Sequence, residues 1–432
     1  MKTKSYFLIS LGCAKNTVDS ESMAVLLEET GFTPVQKPSQ AELLIVNTCG
    51  FIGPAIAESL QTLESLAQKK RPGQYLIAAG CLTQRYRELV TQKVPGVDGI
   101  LGTRRWMDIV ELVQKLRAHG APQPLYHLPE SPTVGKDEHG VLRAAIQGGS
   151  AYLKIADGCR RPCAFCAIPL IKGTAVSRPP HVILEEARLL QQQGVRELIL
   201  IAQDTTDYGH DLGLKEGLSG LLSELVQRVP EIPWIRILYA YPGYVTERLM
   251  QVMAKHPQIL PYLDMPLQHA HPDVLHRMRR PANMDWVYGT LAKMRQAMPD
   301  LALRTTFIVG YPGESEAEFQ TLLDFVAEVK FDHVGVFPFS FEPGTTSEPL
   351  GDPIPAEVKQ ARIERLMRLQ EEVSKARLQT LIGKTLPVLI EGCNDGIAVG
   401  RSYRDAPEID GLVFAEGEAP IGEIVPVQIT GA

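Results

Sequence analysis

Short apolar runs alternate with helix-like segments over the first 120 residues, and this rhythm restricts the fold more than any other feature of the chain. Each run has the length of a strand, and an amphipathic segment follows each one. The three pairs lie at 6–10 and 19–30, 43–46 and 55–69, and 75–79 and 84–93. Strands joined by helices pair in parallel, so the sequence predicts an α/β domain whose parallel sheet is flanked by helices.

Further apolar runs, with helical segments between them, extend across the middle of the chain. They lie at 152–156, 198–202, 235–238, 262–265, 303–309 and 334–339. The clearest helix covers 180–193, because Pro180 suits its start and Gly194 suits a C-terminal cap. Six repeats predict a partial, open barrel of parallel strands, short of the eight that close a full barrel.

The last part of the chain changes pattern after a charged helix at 356–381. Short strands at 386–390, 412–414 and 423–429 are separated by glycines and acidic turns, which predicts a small antiparallel β-barrel. A linker is expected where Pro122, Pro124, Pro129 and Pro132 interrupt any periodicity. The predicted domains are 1–120, a linker at 121–144, the open barrel at 145–375 and the antiparallel module at 376–432.

The composition is that of a globular protein without a membrane span. A chain of 432 residues with 44% hydrophobic and 22% charged residues is typical of a globular protein with several domains. No apolar stretch approaches the roughly 18 residues of a membrane span, so we expect a cytoplasmic protein without a membrane partner. Seven cysteines are too few for a disulfide scaffold, and in a reducing compartment they favour metal ligation.

Cys159, Cys163 and Cys166 form a C-x-x-x-C-x-x-C motif in the predicted barrel. Iron–sulfur clusters normally take four thiolates, so three leave one iron open to a substrate or cofactor. The alternative is a zinc site that takes its fourth ligand from elsewhere in the chain.

Cys13, Cys49 and Cys81 are far apart in sequence, but each directly follows a predicted strand of the first domain. The carboxyl ends of parallel strands share one edge of a sheet, so the three thiols are expected to converge there. Each has a glycine neighbour, which would let the backbone approach a bulky inorganic group. Buried structural thiols are the alternative interpretation, and that role is expected for the isolated Cys393.

Taken together, the motifs resemble those of the radical S-adenosylmethionine methylthiotransferases over essentially the whole chain. The Cys159 motif resembles that of the radical S-adenosylmethionine superfamily, and the three preceding cysteines with a terminal TRAM module narrow the similarity to the methylthiotransferases. Several strings are similar to the RimO branch, which acts on a ribosomal protein: SLGCAKN at 10–16, VDSE at 18–21, YLDMPLQHA at 262–270 and GRSYRDAPEIDG at 400–411.

The resemblance implies two [4Fe-4S] clusters. One, at Cys159, Cys163 and Cys166, would bind S-adenosylmethionine and cleave it to a 5′-deoxyadenosyl radical with an electron from a separate donor. The other, held by the three cysteines of the first domain, would carry the sulfur that is methylated by a further S-adenosylmethionine and inserted. In the RimO branch the target is the β carbon of an aspartate in small-subunit ribosomal protein S12. The residues that contact S-adenosylmethionine are not assigned, and no catalytic side chain is predicted beyond the ligands.

Charge in the last domain bears on the substrate. Residues 384–432 carry 3 Lys and Arg against 8 Asp and Glu, a net charge of 3 − 8 = −5. An acidic surface repels phosphate and attracts a basic partner such as a ribosomal protein, so no nucleic-acid substrate is expected. The alternatives are methylthiolation of adenosine in transfer RNA, an iron–sulfur electron carrier without catalysis, and a structural zinc protein.

Overall fold

The computed structural model describes residues 4–120, 123–128 and 140–432. Its first part is a parallel sheet with helices on both faces. The strands are β1 Ser5–Ser10, β2 Thr33–Pro34, β3 Leu43–Thr48, β4 Tyr75–Gly80, β5 Gly99–Gly102 and β6 Leu125–His127. The helices are α1 Ala14–Glu29, α2 Gly53–Lys69, α3 Cys81–Lys93 and α4 Ile109–His119.

The strand order of this sheet is β2-β1-β3-β4-β5-β6, and all pairs are parallel. The central strands have continuous apolar sequences because helices cover both faces of the sheet. On one face Leu27 of α1 and Leu116 of α4 belong to one buried cluster, and on the other Leu63 of α2 and Val90 of α3 belong to a second. The predicted parallel sheet is confirmed, and β1, β3 and β4 lie side by side.

The middle of the chain forms the open barrel. Its strands are β7 Ala144–Gln147, β8 Ser150–Lys154, β9 Ala156–Asp157, β10 Val176–Ser177, β11 Glu197–Ile201, β12 Trp234–Ile237, β13 Tyr262–Asp264, β14 Ala302–Val309 and β15 His333–Pro338. Its helices are α5 Ile168–Lys172, α6 Pro180–Gln192, α7 Gly217–Arg228, α8 Glu247–Lys255, α9 Pro272–Arg277, α10 Met284–Ala297, α11 Glu316–Val329 and α12 Ala356–Gln379.

The six predicted barrel strands are all present. Strands β8, β11 and β12 pair in parallel, as do β13, β14 and β15, and a parallel bridge between Ile235 and Ile259 connects the two sets. The all-parallel expectation missed β7, which pairs antiparallel with β8 at the edge. Only two residues separate β7 from β8, so these strands form a tight hairpin that cannot contain a crossover helix.

Four antiparallel strands close the chain: β16 Thr385–Asn394, β17 Ile397–Ser402, β18 Val413–Glu416 and β19 Ile424–Gln428. Their order is β18-β17-β16-β19, which confirms the antiparallel C-terminal module as a half-barrel of strands. The prediction missed β17, the central strand that begins after the turn at Asp395 and Gly396. Leu389 and Tyr403 pack this module against Tyr152 and Trp234 of the barrel.

Glu197 connects the C-terminal module to the barrel. It lies fully buried on β11 and accepts hydrogen bonds from Arg236 Nε at 2.6 Å and Arg401 Nη2 at 2.7 Å. Burial opposes the charge on Glu197, but the two guanidinium groups outweigh it and lower its pKa to about 2. Because Arg401 belongs to β17, one carboxylate holds two domains in register.

Part of the segment predicted as a linker is structured. Leu125–His127 is β6, an edge strand that pairs in parallel with β5. Of the four prolines used to place the linker, only Pro124 lies within the described residues, and the domain boundaries stay a prediction. Within the parts of the chain that the structure describes, no helix is both long and apolar enough to cross a membrane.

We expect Glu197→Gln to lower the free energy of unfolding by about 3–5 kcal/mol, because the neutral amide leaves the buried Arg236 without a counter-charge and removes one of the two acidic partners of Arg401. The pKa of Glu197 is lower in the folded state than in the unfolded state. Its contribution to the free energy of unfolding is therefore fully present above its ordinary pKa of 4.5 and is lost as the pH falls toward about 2. Urea titrations of both proteins across this range measure the difference.

The matched control is Glu423→Gln, because Glu423 is exposed and its carboxylate lies 3.5 Å from Arg196. Its effect should stay below about 1 kcal/mol, as for other surface ion pairs. Equal losses in the two variants, or a difference that does not vary with pH, would contradict the role given to Glu197.

Candidate active site

Six of the seven cysteines line one cavity between the first domain and the barrel. Its volume is about 570 Å³. Cys13, Cys49 and Cys81 form one part of the wall, and Cys159, Cys163 and Cys166 form another. The two sets therefore face the same space, although they come from different domains.

The three cysteines of the first domain lie where the sequence places them, at the ends of adjacent strands. Cys13 precedes α1, Cys49 follows β3, and Cys81 is the first residue of α3. Asn16 connects the three loops: its amide donates to Leu11 O at 2.9 Å and Thr48 O at 3.1 Å, and its Oδ1 accepts from Cys81 Sγ at 3.6 Å.

Two of the neighbouring glycines are required for this convergence. Gly12 has a φ of +97°, and a Cβ on it would lie 2.9 Å from Cys49 Cβ. Gly80 has a φ of +103°, and a Cβ there would lie 2.5 Å from Thr48 O. Glycine is thus the residue that lets these strand-end loops pack directly against one another, in addition to leaving room for an inorganic group.

The barrel triplet sits in a loop that follows β9. Its backbone is fixed by hydrogen bonds from Cys159 N to Gly173 O at 3.1 Å, from Ala164 N to Met278 O at 2.9 Å, and from Cys166 N to Cys163 O at 3.1 Å. Phe165, between the last two cysteines, also lines the cavity. The loop is therefore held at the carboxyl ends of the barrel strands, where active sites of such folds lie.

The spacing of the sulfur atoms disfavours a single zinc ion. Among the described residues, two groups of three possible ligands have all ligand atoms within 4.8 Å of one another, and both consist of histidine and carboxylate side chains. In each cysteine triplet at least one pair of sulfur atoms is therefore farther apart. A tetrahedral zinc ion, with Zn–S bonds of about 2.3 Å, holds its sulfur ligands within about 4 Å of one another. In an iron–sulfur cluster each thiolate binds a different iron, so the sulfur atoms lie farther apart.

Buried charges surround the two triplets. The Asp19 carboxylate accepts hydrogen bonds from Arg143 at 2.5 Å, Lys154 at 2.5 Å and Lys172 at 3.0 Å. The Asp157 carboxylate lies 3.0 Å from Lys154 and 3.4 Å from Lys172. Burial alone would raise the pKa of both acids, but the cations outweigh it and hold both pKa values below the ordinary range.

This ionic cluster bridges the two cysteine sets. Asp19 is on α1 behind Cys13, Asp157 precedes Cys159 by two positions, and Lys172 ends α5. Of the three cations, Lys172 is the one that lines the cavity. It acts against the burial that raises the pKa of Cys81 and so favours the thiolate.

Further cations line the cavity, and sequence reasoning did not identify them. Arg161 Nε donates to Asp204 at 2.6 Å, and Arg161 Nη2 donates to Asp207 at 3.3 Å. Arg280 donates to Cys163 Sγ at 3.5 Å and to Pro266 O. Arg161 lies within the cysteine motif and Arg280 outside it, and the contacts of both come from segments distant in sequence, which local pattern does not reveal.

Lys15 is the cation nearest to the first triplet in sequence. Its Nζ lies 3.2 Å from the centroid of the Tyr239 ring and 3.5 Å from Ala202 O. Burial lowers the pKa of this ammonium, against the opposing influence of Cys13 and Asp264. Its contacts across the cavity wall are therefore with uncharged groups.

The two histidines that follow β13 serve the fold. His269 is buried, its Nδ1 accepts from His271 N at 3.0 Å, and its Nε2 lies 3.7 Å from the Glu314 carboxylate. The Gly310–Glu314 segment is a turn in which Glu314 also accepts from Tyr311 N at 3.0 Å. His271 caps α9, since its Nδ1 accepts a hydrogen bond from Asp273 N at 3.2 Å, and neither histidine lines the cavity.

Family models match three parts of the chain. Residues 5–102 match the model described as uncharacterized protein family UPF0004, residues 153–326 match the Radical SAM superfamily, and residues 382–432 match the TRAM domain. The open barrel and its three-cysteine loop, together with the second match, define a radical S-adenosylmethionine enzyme, a class that uses an iron–sulfur cluster and S-adenosylmethionine.

Relatives of known name are similar over nearly the whole chain. The ribosomal protein uS12 methylthiotransferase RimO of Chloroflexus aurantiacus is 49% identical, covering 99% of this chain and 97% of the relative. That of Roseiflexus sp. is 47% identical, covering 99% and 95%, and that of Symbiobacterium thermophilum is 45% identical, covering 98% and 88%. The chain belongs to the RimO family of methylthiotransferases.

Solved structures support the fold. The radical S-adenosylmethionine methyltransferase TsrM from Kitasatospora setae, with cobalamin and a [4Fe-4S] cluster bound, has a TM-score of 0.58 at 12% identity and covers 80% of this chain and 77% of its own. The cobalamin-dependent radical enzyme OxsB has a TM-score of 0.51 at 11% identity, covering 87% and 56%. At such identities the likeness concerns the fold alone.

We expect iron loading of the protein to improve with pH. Burial raises the pKa of the Cys81 and Cys166 thiols to about 12 and that of Cys159 to about 11, so these groups are protonated at neutral pH. Cluster binding must displace their protons and should be more complete at about pH 9 than at about pH 7. Iron and sulfide analysis after anaerobic reconstitution measures this, and equal loading at both pH values would contradict it.

Proposed function

We propose that this chain is a radical S-adenosylmethionine methylthiotransferase that adds a methylthio group to the β carbon of an aspartate in ribosomal protein uS12. The observation that carries the proposal is the single cavity lined by both cysteine triplets. The carbon on which the radical forms must then receive the sulfur. Two metal sites on one cavity meet that requirement, and sites on separate surfaces would not.

We assign one [4Fe-4S] cluster to Cys159, Cys163 and Cys166, and a second to Cys13, Cys49 and Cys81. Three thiolates on each leave one iron available to a non-protein ligand. The first cluster, when bound, would supply the electron that cleaves S-adenosylmethionine, and the second would hold the sulfur that is inserted. Both triplets offer the soft sulfur ligands that such clusters take.

The remaining wall suits radical chemistry. Phe51, Ile52, Phe165, Ile168 and Phe337 line the cavity with apolar surface. Such a lining excludes water and protects a reactive intermediate from side reactions. Arg280, whose side chain lies against Cys163, is placed to pair with the carboxylate of S-adenosylmethionine.

The charge of the C-terminal module supports a basic protein as substrate. Two of its three basic residues, Arg401 and Arg404, are buried in ion pairs with Glu197 and Asp332. Six of its acidic residues are exposed: Glu391, Asp395, Glu408, Glu416, Glu418 and Glu423. The exposed surface is therefore more one-sided than the sequence count, and it favours encounter with a cationic partner.

The same charge disfavours the transfer-RNA alternative, since phosphate binding draws its affinity from lysine and arginine. An electron carrier is disfavoured by the cavity, because a carrier saturates its clusters with protein ligands and has no need of a shared space. The proposal includes an external electron donor and action in the cytosol, where uS12 is made.

Substitution of single ligands should separate the two halves of the reaction. We expect Cys163→Ala to abolish formation of 5′-deoxyadenosine, because it removes a ligand of the radical cluster. Cys49→Ala should retain some cleavage of S-adenosylmethionine yet yield no methylthiolated product. Each variant should lose about half of its iron, since each triplet holds one of two equal clusters.

Cys393→Ala is the matched control, since Cys393 lies on β16 away from both triplets and its substitution should change neither iron content nor product. Normal yields of methylthiolated uS12 from Cys49→Ala would show that the second cluster is wrongly assigned.

The reconstituted protein should methylthiolate uS12 and leave transfer RNA unmodified, as measured by mass spectrometry of both substrates with dithionite as reductant. Glu416→Lys with Glu418→Lys should reduce kcat/KM for uS12, and more strongly at low salt, because surface charge acts mainly on encounter. Glu64→Lys, which reverses an exposed acid of α2, is the matched control. Product from transfer RNA alone would overturn the choice of substrate.

A further inference from the structure

Lys15 is a cation of the cavity wall whose charge is not neutralised. The ion pairs found among the described residues do not include it, and its contacts are the Tyr239 ring and Ala202 O. A cation–π contact and a carbonyl stabilise an ammonium without cancelling its charge. The Lys15 side chain therefore lies beside Cys13 without an acidic partner among the described residues, in the space that a substrate must enter.

The nearest acids cannot serve as its counter-ion. Asp264 is engaged by Arg304 at 3.1 Å and by Tyr239 N at 3.1 Å. Asp157 is engaged by Lys154 and Lys172. The charge of Lys15 thus remains available to an anion that comes from outside the chain.

The other cations of the cavity have assigned partners. Arg161 is neutralised by Asp204 and Asp207, and Lys172 by Asp19 and Asp157. Among the described residues Arg280 has no acidic partner, and it faces Cys163 Sγ, in the half of the cavity proposed for S-adenosylmethionine. Lys15 is the remaining cation, and it lies next to the other triplet.

Two other residues that line the cavity have backbone conformations typical of binding sites. Tyr239 and Gln268 line the cavity with φ values of +64° and +76°. Side chains other than glycine adopt this conformation at a cost, which concentrates at functional sites. The Oε1 atoms of Gln268 and Gln203, both in the cavity wall, are buried without a hydrogen-bond partner. An N–H group of a peptide that enters the cavity would satisfy these oxygens, whereas a carboxylate would not.

We propose that Lys15 binds the carboxylate of the aspartyl side chain that is modified. This inference rests on the proposed function, which makes an aspartate the target. The β carbon is bonded directly to the carboxyl carbon, so an anchored carboxylate places the reacting carbon within one bond of a fixed point. The cation would also select aspartate over its neutral isostere asparagine.

A purely electrostatic role for Lys15 toward the neighbouring metal site makes a different prediction. In that case loss of the charge would change the iron content or weaken every substrate equally. A carboxylate-binding role affects the aspartate substrate selectively. The ratio between aspartate and asparagine peptides separates the two roles.

The test uses the reconstituted full chain and two synthetic peptides of the uS12 segment, one with the target aspartate and one with asparagine in its place. Fluorescence anisotropy measures both dissociation constants, and mass spectrometry measures product from the aspartate peptide. Wild-type protein should bind the aspartate peptide at least about tenfold more tightly, as expected for a desolvated charge pair. In Lys15→Met this preference should fall to about twofold or less, with a parallel loss in kcat/KM.

Lys15→Arg should keep part of the preference because it keeps the charge. Lys293→Met, on the exposed Lys293 of α10, should behave as wild type. Iron and sulfide analysis of each variant reports whether the metal sites are intact. An unchanged preference in Lys15→Met, with wild-type protein active, overturns this inference alone. Absence of product from wild-type protein on the aspartate peptide overturns the proposed function and this inference with it.

Discussion

The site depends on the buried ionic cluster that joins the first domain to the barrel. Asp19 and Asp157 share the cations Arg143, Lys154 and Lys172, so a carboxylate from each domain is bound by the same ammonium groups. Removing one partner of a buried pair leaves an uncompensated charge, which makes the domain arrangement strongly specified. The loops that carry the two cysteine triplets are thereby fixed across one space.

Around that cluster the fold separates charge from apolar surface. The cations lie behind and beside the cysteines, where they offset the negative charge of thiolates, while aromatic and aliphatic side chains face the substrate space. Of the four cations that line the cavity, Arg161 and Lys172 have acidic partners. Among the described residues Lys15 and Arg280 have none, and the molecule thus offers two unpaired cations for the two carboxylates that the proposed reaction brings into the cavity.

Much of the fold could be predicted from the sequence, because strands and helices each have a periodic pattern of apolar residues. The positions of β1, β3 and β4 were sufficient to predict that Cys13, Cys49 and Cys81 converge. The direction in which strands pair leaves no such pattern: β7 was missed although only two residues separate it from β8, with which it pairs antiparallel. The ionic partners of Asp19 and the exposure of Lys15 to the cavity depend on side chains from both domains, which local pattern does not reveal.

The central claim is that two iron–sulfur clusters lie on one cavity, one at each cysteine triplet. Diffraction at the iron absorption edge from anaerobically prepared crystals tests it most directly, because anomalous scattering locates iron independently of any assumption about ligands. We predict two separate iron peaks, one against Cys13, Cys49 and Cys81 and the other against Cys159, Cys163 and Cys166. A single iron peak, or zinc in place of iron at either triplet, would contradict the account.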